Sequence, residues 1–132
     1  MEQLKRRDRK LIRKGHIFEY YEDTLELPDG KEALYDFINH KGAAAILPVD
    51  SNGKIIMVRQ YRNAVNRFTL EIPAGGLNPG EDTKTAAARE LEEETGYRSE
   101  RIEHLLDLYT TVAYCNEKIG IYYTEELQPS KQ

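Results

Sequence analysis

Residues 74–96 constrain this chain more than any other stretch. They open on Ala74-Gly75-Gly76-Leu77-Asn78-Pro79-Gly80, a loop too rich in glycine and proline for the interior of a helix or strand. A run of good helix formers follows at once. Asp82 or Thr83 supplies the N-cap, Ala86, Ala87, Ala88, Leu91 and Thr95 carry the helix, and Gly96 is a natural terminator. Three alanines let such a helix lie close to a sheet, and the glycines let the loop backbone approach another group closely. The segment therefore requires a sheet to pack on.

The rest of the chain provides strands. Residues 15–39 hold β-formers such as Ile17, Phe18, Tyr20, Tyr21 and Leu25 around a turn at Pro28, Asp29 and Gly30, which predicts an antiparallel meander. Residues 43–49 are apolar throughout, as in a strand buried on both faces, and Asp50-Ser51-Asn52-Gly53 predicts a hairpin joining them to residues 54–60. A strand over 68–72 closes at Pro73, and two more are expected over 102–111 and 118–123, before a polar tail over 125–132.

With 132 residues the chain is sized for one core, since single domains run to about 100 to 200 residues. Residues 1–40 read as an N-terminal β meander and 41–132 as the main body. No apolar run reaches the roughly 18 residues that would cross a bilayer, and residues 1–10 are charged rather than signal-like. Cys115 is the only cysteine, which excludes an internal disulfide, fits a reducing compartment and leads to the expectation of a cytoplasmic protein. The net charge of −4 argues against a nucleic-acid partner. Lys5, Arg6, Arg7, Arg9, Lys10, Arg13 and Lys14 form a local basic run, read as a solvated or frayed arm.

Chemistry concentrates in Arg89-Glu90-Leu91-Glu92-Glu93-Glu94. Residues three and four apart share a helix face, so Glu90, Glu93 and Glu94 converge within one turn and repel one another. Either the side chains splay into water, as acidic helix faces commonly do, or a cation sits among them. Hard oxygen ligands with incomplete protein coordination suit Mg²⁺, with Mn²⁺ as a substitute, and such ions take further ligands from a phosphate-bearing substrate. Arg89 can orient one carboxylate through a charge-assisted hydrogen bond.

The spacing resembles the Nudix box, G-x5-E-x7-R-E-U-x-E-E-x-G-U with U bulky and apolar. Gly75, Glu81, Arg89, Glu90, Leu91, Glu93, Glu94 and Gly96 match it in register, while Tyr97 departs at the last U. Val58-Arg59-Gln60-Tyr61-Arg62 and Leu70-Glu71-Ile72-Pro73-Ala74-Gly75 resemble the ADP-ribose pyrophosphatase branch of that family. The resemblance implies an α/β (α+β) Nudix fold with a mixed β-sheet sandwiched between helices. It implies metal ligation by Glu90 and Glu94, with Glu93 and the Ala74 carbonyl, and catalytic roles for Glu93, Glu94, Arg89 and Glu117. Substrate contacts are implied for Arg59, Arg62, Glu71, Gly76 and Glu117, with Arg62 towards a diphosphate, and so is a homodimer.

Two departures qualify the resemblance. Thr111-Val112-Ala113 stands where the branch carries Ser-Pro-Gly in a substrate-contacting loop. The chain also stops at Gln132, where the branch continues into a final helix and a loop with a catalytic glutamate; the expectation is a chain shorter than the branch, with Glu93 and Glu117 as the general bases at hand. The activity implied is Mg²⁺-dependent hydrolysis of a nucleotide sugar, ADP-ribose to AMP and ribose 5-phosphate. The alternatives are another nucleotide sugar or a dinucleoside polyphosphate as substrate, and a nucleotide-binding module without turnover.

Overall fold

The computed structural model describes residues 2–130; Met1, Lys131 and Gln132 lie outside the described residues, so the polar tail is described as far as Ser130. The chain divides into two compact units. One comprises residues 2–41 with Tyr109–Glu117, the other Gly42–Leu108 with residues 118–130.

In the first unit, β1 (Lys5–Lys14), β2 (Glu19–Glu26) and β3 (Glu32–Asn39) form a three-stranded antiparallel sheet in that order. The β2–β3 meander and its turn lie where the β-formers and Pro28-Asp29-Gly30 predict them, with the Gly30 N–H donating to the Leu27 carbonyl at 2.9 Å. The basic run departs from expectation. It is a ten-residue strand, exposed along its whole length, rather than a frayed arm. Its cations meet the acids of β2 across the ladder: Lys5 stands opposite Glu26, Lys10 opposite Glu22, Lys14 opposite Glu19 and Arg9 opposite Asp23. Opposite charges directly across strands stabilise pairing, so charge holds down a segment that hydrophobicity would not. Arg9 makes the tightest of these contacts, donating from Nε at 2.7 Å and Nη2 at 2.8 Å to the buried Asp23 while lying 4.0 Å over the Phe37 ring. That hydrogen bonding holds the Asp23 carboxyl below its usual range.

Tyr109–Glu117 is fastened to the end of β3. Ile38 N–H donates to the Tyr114 carbonyl at 2.6 Å and Asn116 N–H to the Ile38 carbonyl at 3.2 Å, while the Asn116 side chain takes the His40 N–H and donates to Asn39.

The second unit contains β4 (Ala43–Pro48), β5 (Val58–Arg62), β6 (Arg67–Glu71), β7 (Ala74–Gly76), α1 (Thr83–Thr95), β8 (Tyr97–Arg98), β9 (Glu103–Tyr109), β10 (Lys118–Thr124) and β11 (Gln128–Pro129). A mixed sheet runs in the order β7-β4-β10-β9, with β4 parallel to β10 and antiparallel to β7. Among the described residues α1 is the one α-helix, and it packs on this sheet. Its ends match the sequence reading. Asp82 accepts from Thr85 N–H at 2.7 Å as N-cap, and Gly96 adopts φ 75°, the left-handed conformation that lets its N–H return to Glu92. Ala86, Ala87 and Leu91 are fully buried against Ala44, Ile46 and Tyr122, and small side chains on both layers bring helix and sheet close together.

Two expectations fail here for one reason. The hairpin predicted between 43–49 and 54–60 stops after a single bridge, Val49 to Ile55, although the Asp50 turn forms. Both edges of β4 are already taken, by β10 on one side and β7 on the other, so β5 pairs instead with β6. Likewise the first part of the glycine loop, Ala74–Gly76, is a strand, because it supplies the partner that β4 needs. The polar tail also contributes a short ladder, β11 against β8. We expect Leu91→Ala to lower stability by about 3 kcal/mol through an unfilled cavity between α1 and the sheet, read from urea denaturation of the two proteins.

Candidate active site

The site is built from the closeness of β7 to α1. Glu90 projects from the buried face of the helix, 7% exposed, and meets the backbone at Gly75. A Cβ at position 75 would lie 2.0 Å from Glu90 Oε1 and 2.3 Å from its carboxyl carbon, so only glycine leaves room for this carboxylate. One turn along, Glu94 Oε2 accepts the Ala74 N–H at 3.2 Å. Two carboxylates thus touch the same three-residue strand.

Arg89 organises this end of the helix. Its Nε and Nη2 donate to the two Glu81 oxygens, each at 2.9 Å, and Nη2 also reaches the Gly76 carbonyl at 3.2 Å. Nη1 donates to Glu90 at 2.7 Å and to Glu93 at 3.2 Å. These five bonds use every N–H of a guanidinium, and they push the Arg89 pKa upward, Glu81 being the largest cause. Glu81 in turn accepts the Asn78 N–H at 3.1 Å, so the loop, β7 and the helix are tied through one side chain. The motif marks Glu81 without giving it a role; the structure makes it the anchor of Arg89. The eight-residue separation between them signals that role only when the loop is known to fold back on the helix.

The three helix carboxylates do not gather as one set. Glu93 keeps a 58% exposed side chain and turns to Arg89, and among the described residues no group of three or more His, Cys, Asp or Glu side chains stands close enough to hold a metal ion. Arg89 supplies to Glu90 and Glu93 the neutralising charge that a cation would otherwise bring. Glu94 has no such partner on the helix. Although part of its surface meets solvent, burial pushes its carboxyl pKa up, the Ala74 N–H opposes this, and the negative charges of Glu90 and Glu71 add to the rise. Glu90, Glu94 and the hard oxygens of the β7 backbone thus offer an oxygen-donor set in which the Glu94 charge is only partly answered, by Arg62, and which fits one divalent ion that keeps several waters.

The remaining residues singled out by sequence fall into two groups. Arg62 and Glu71 lie on one face of the β5–β6 hairpin in a bidentate ion pair, with Arg62 Nε 2.8 Å and Nη2 2.5 Å from the carboxylate, and both act electrostatically on Glu94. That pairing holds the Glu71 carboxyl down to about 2. Arg59 is not gathered with them. Strand alternation turns it to the opposite face, where its guanidinium lies 4.3 Å over the Phe68 ring. Glu117 belongs to the first unit, where Thr110 Oγ1 donates to one oxygen at 2.8 Å and His40 Nε2 lies 3.2 Å from the other.

A glycine against a buried glutamate, an arginine bonded to Glu81, Glu90 and Glu93, and a second carboxylate on the same strand occur in the spacing of the motif. The NUDIX domain model matches residues 39–130. The chain belongs to the Nudix family. It is 41% identical over 113 residues to the ADP-ribose pyrophosphatase of Bacillus subtilis (strain 168), and 39% identical over 113 residues to the methanol dehydrogenase activator of Bacillus methanolicus. Each match covers 86% of this chain and 61% of the relative, so the chain spans about three fifths of the length of these curated relatives. A crystal structure of an ADP compounds hydrolase superimposes with a TM-score of 0.87, covering 100% of this chain and 72% of that one; at 23% identity it shows the fold alone.

The raised Glu94 carboxyl has a stability consequence. A folded-state pKa above the unfolded one means that the ionised form is disfavoured by folding, so this contribution to stability is fully present below the unfolded value near 4.5 and is lost as pH rises through the folded value. Glu94→Gln should therefore melt at a higher temperature than the parent at pH 7 in metal-free buffer, with the difference shrinking toward pH 4, as followed by circular dichroism.

Proposed function

We propose that this Nudix chain hydrolyses the diphosphate bond of a nucleoside diphosphate sugar, ADP-ribose to AMP and ribose 5-phosphate, with Mg²⁺, replaceable by Mn²⁺, held by Glu90 and Glu94. The observation that carries the reading is Glu90 wedged against Gly75 beside Glu94, the one helix carboxylate of the three that Arg89 does not neutralise. The name of the Bacillus subtilis relative supports the substrate class. No helix among the described residues is long and apolar enough to cross a membrane.

When bound, a divalent ion would supply charge neutralisation of the diphosphate and a more acidic attacking water. The protein's part begins with Arg89, which donates to Glu90 and holds its side chain against β7, and so acts through the carboxylates rather than on the substrate. Glu94 offers its carboxylate from the other side of Ala74, whose carbonyl completes the protein's oxygen set. Arg62 meets the diphosphate, with the Gly76 backbone, and a carboxylate, Glu93 on the same helix as Glu94, accepts the proton of the water. Arg59 lies on the other face of the hairpin, over the Phe68 ring.

A homodimer joined through the first unit and a cytoplasmic location belong to the same reading. Leu11, Ile12, Ile17, Phe18, Leu34 and Tyr35 are large apolar side chains exposed on that unit, and Cys115 is free. Light scattering at twice the mass of the chain would support the dimer, and the monomer mass would remove it.

The experiment is product analysis by mass after incubation with ADP-ribose and Mg²⁺. AMP and ribose 5-phosphate should appear, EDTA should stop the reaction, and Glu94→Gln should reduce turnover by about 100-fold or more while the circular dichroism spectrum is kept. Turnover that survives EDTA or this substitution refutes the metal assignment, and tight ADP-ribose binding without products identifies a nucleotide-binding module instead.

A further inference from the structure

Arg62 stands at the far end of the β5–β6 hairpin, and strand geometry alone does not bring it to the carboxylates of α1. Along the ladder Val58 is opposite Glu71, Gln60 opposite Thr69, and Arg62 opposite Arg67, so three rows of side chains share this face. Arg62 and Glu71 occupy the two outer rows. Their backbones are about 13 Å apart along the strands, two same-face steps, yet the guanidinium donates twice to the Glu71 carboxylate. The Arg62 side chain is therefore laid back over the middle row. In that row Thr69 Oγ1 donates to Oε2 of the same carboxylate, and Glu71 is the residue that both Arg62 and Thr69 address.

We propose that Thr69 and Glu71 are positioning residues: together they draw the Arg62 guanidinium along the hairpin and set its plane for the diphosphate of a bound nucleotide sugar, without themselves touching the substrate. The inference rests on the hydrolase reading above and deepens it. A guanidinium has two forked edges of similar spacing. The Nε–Nη2 edge is directed at Glu71, and the Nη1–Nη2 edge has the geometry to take two phosphate oxygens. An arginine held in this way loses less side-chain freedom when the anion arrives than one swinging on a strand end, so the device acts on affinity. The Glu71 carboxyl, held low first by Arg62 and also by Thr69, keeps the pair intact throughout the neutral range.

The test is a double-mutant cycle on the full chain: wild type, Arg62→Ala, Glu71→Gln and the double variant, with Thr69→Val and Thr69→Ser alongside, each assayed for kcat and KM with ADP-ribose in excess Mg²⁺. Glu71→Gln should raise KM about tenfold with kcat within about twofold, and the double variant should be no weaker than Arg62→Ala alone. Thr69→Val, near-isosteric and strand-compatible, should raise KM about threefold, and Thr69→Ser should reverse most of that rise. An unchanged KM in Glu71→Gln, or additive losses in the double variant, overturns the proposal. If wild type does not turn ADP-ribose over, the hydrolase reading fails separately. The same cycle is then read on the Kd of inorganic pyrophosphate with Mg²⁺ by calorimetry, where coupling between Arg62 and Glu71 supports the device, and additivity or an absence of wild-type binding overturns it.

Discussion

The second unit depends on one close approach, the buried Glu90 carboxylate against the backbone of Gly75. A Cβ at position 75 would overlap this carboxylate where it stands, so glycine there is what leaves the Glu90 side chain its place against the strand. A buried carboxylate is costly unless paired, and Arg89 pairs it while reaching Glu81 and the Gly76 carbonyl in the same plane. The glycine, the arginine and the glutamates of this segment are therefore one mechanical unit. Removing the guanidinium would strand Glu81 and Glu90 together and release the loop from the helix.

The arrangement also separates structural from chemical charge. Glu81 and Glu90 are answered by Arg89, so their charges are neutralised within the fold, and Glu93 leans on the same cation from solvent. Glu94 is left with the repulsion of Glu90 and Glu71 and the partial attraction of Arg62. A carboxylate that folding makes less comfortable is where an incoming cation gains most, and strained charge of this kind concentrates at functional sites.

Local signals in the sequence were read correctly where the responsible interaction is itself local. The caps at Asp82 and Gly96 and the turn at Pro28-Asp29-Gly30 each depend on a few neighbouring residues, and all lie where their chemistry puts them. Pairing between distant segments was less legible. Asp50-Ser51-Asn52-Gly53 makes its turn, but whether a hairpin follows depends on whether β4 has an edge to spare, and that is decided by β7 and β10. Ala74-Gly75-Gly76 carries every mark of a loop and is nevertheless a strand, because β4 rather than its own propensity dictates it. The basic run of β1 looks like a solvated arm until β2 is set beside it, when Lys5, Arg9, Lys10 and Lys14 each face a carboxylate across the ladder. In the site, the periodicity of α1 placed Glu90, Glu93 and Glu94 on one face, but the way Arg89 divides them needs the path of the loop, which no helical spacing contains.

Two arginines of the second unit, each bonded to its own carboxylates, illustrate how burial divides labour between like residues. Arg89 directs all five N–H groups at protein oxygens and has no donor left over for a ligand, so it can act only by fixing the acids around it. Arg62 is more exposed and directs one forked edge at the Glu71 carboxylate, which fixes the plane of its guanidinium at a more solvent-facing position. Its partner Glu71 raises the Glu94 carboxyl while Arg62 lowers it, so an anion drawing on Arg62 would weaken the attraction that Arg62 adds to the Ala74 N–H at Glu94. Anion and cation binding at this end of the chain are then linked: each relieves a charge that the other leaves exposed, and a diphosphate carrying its own divalent ion satisfies both at once.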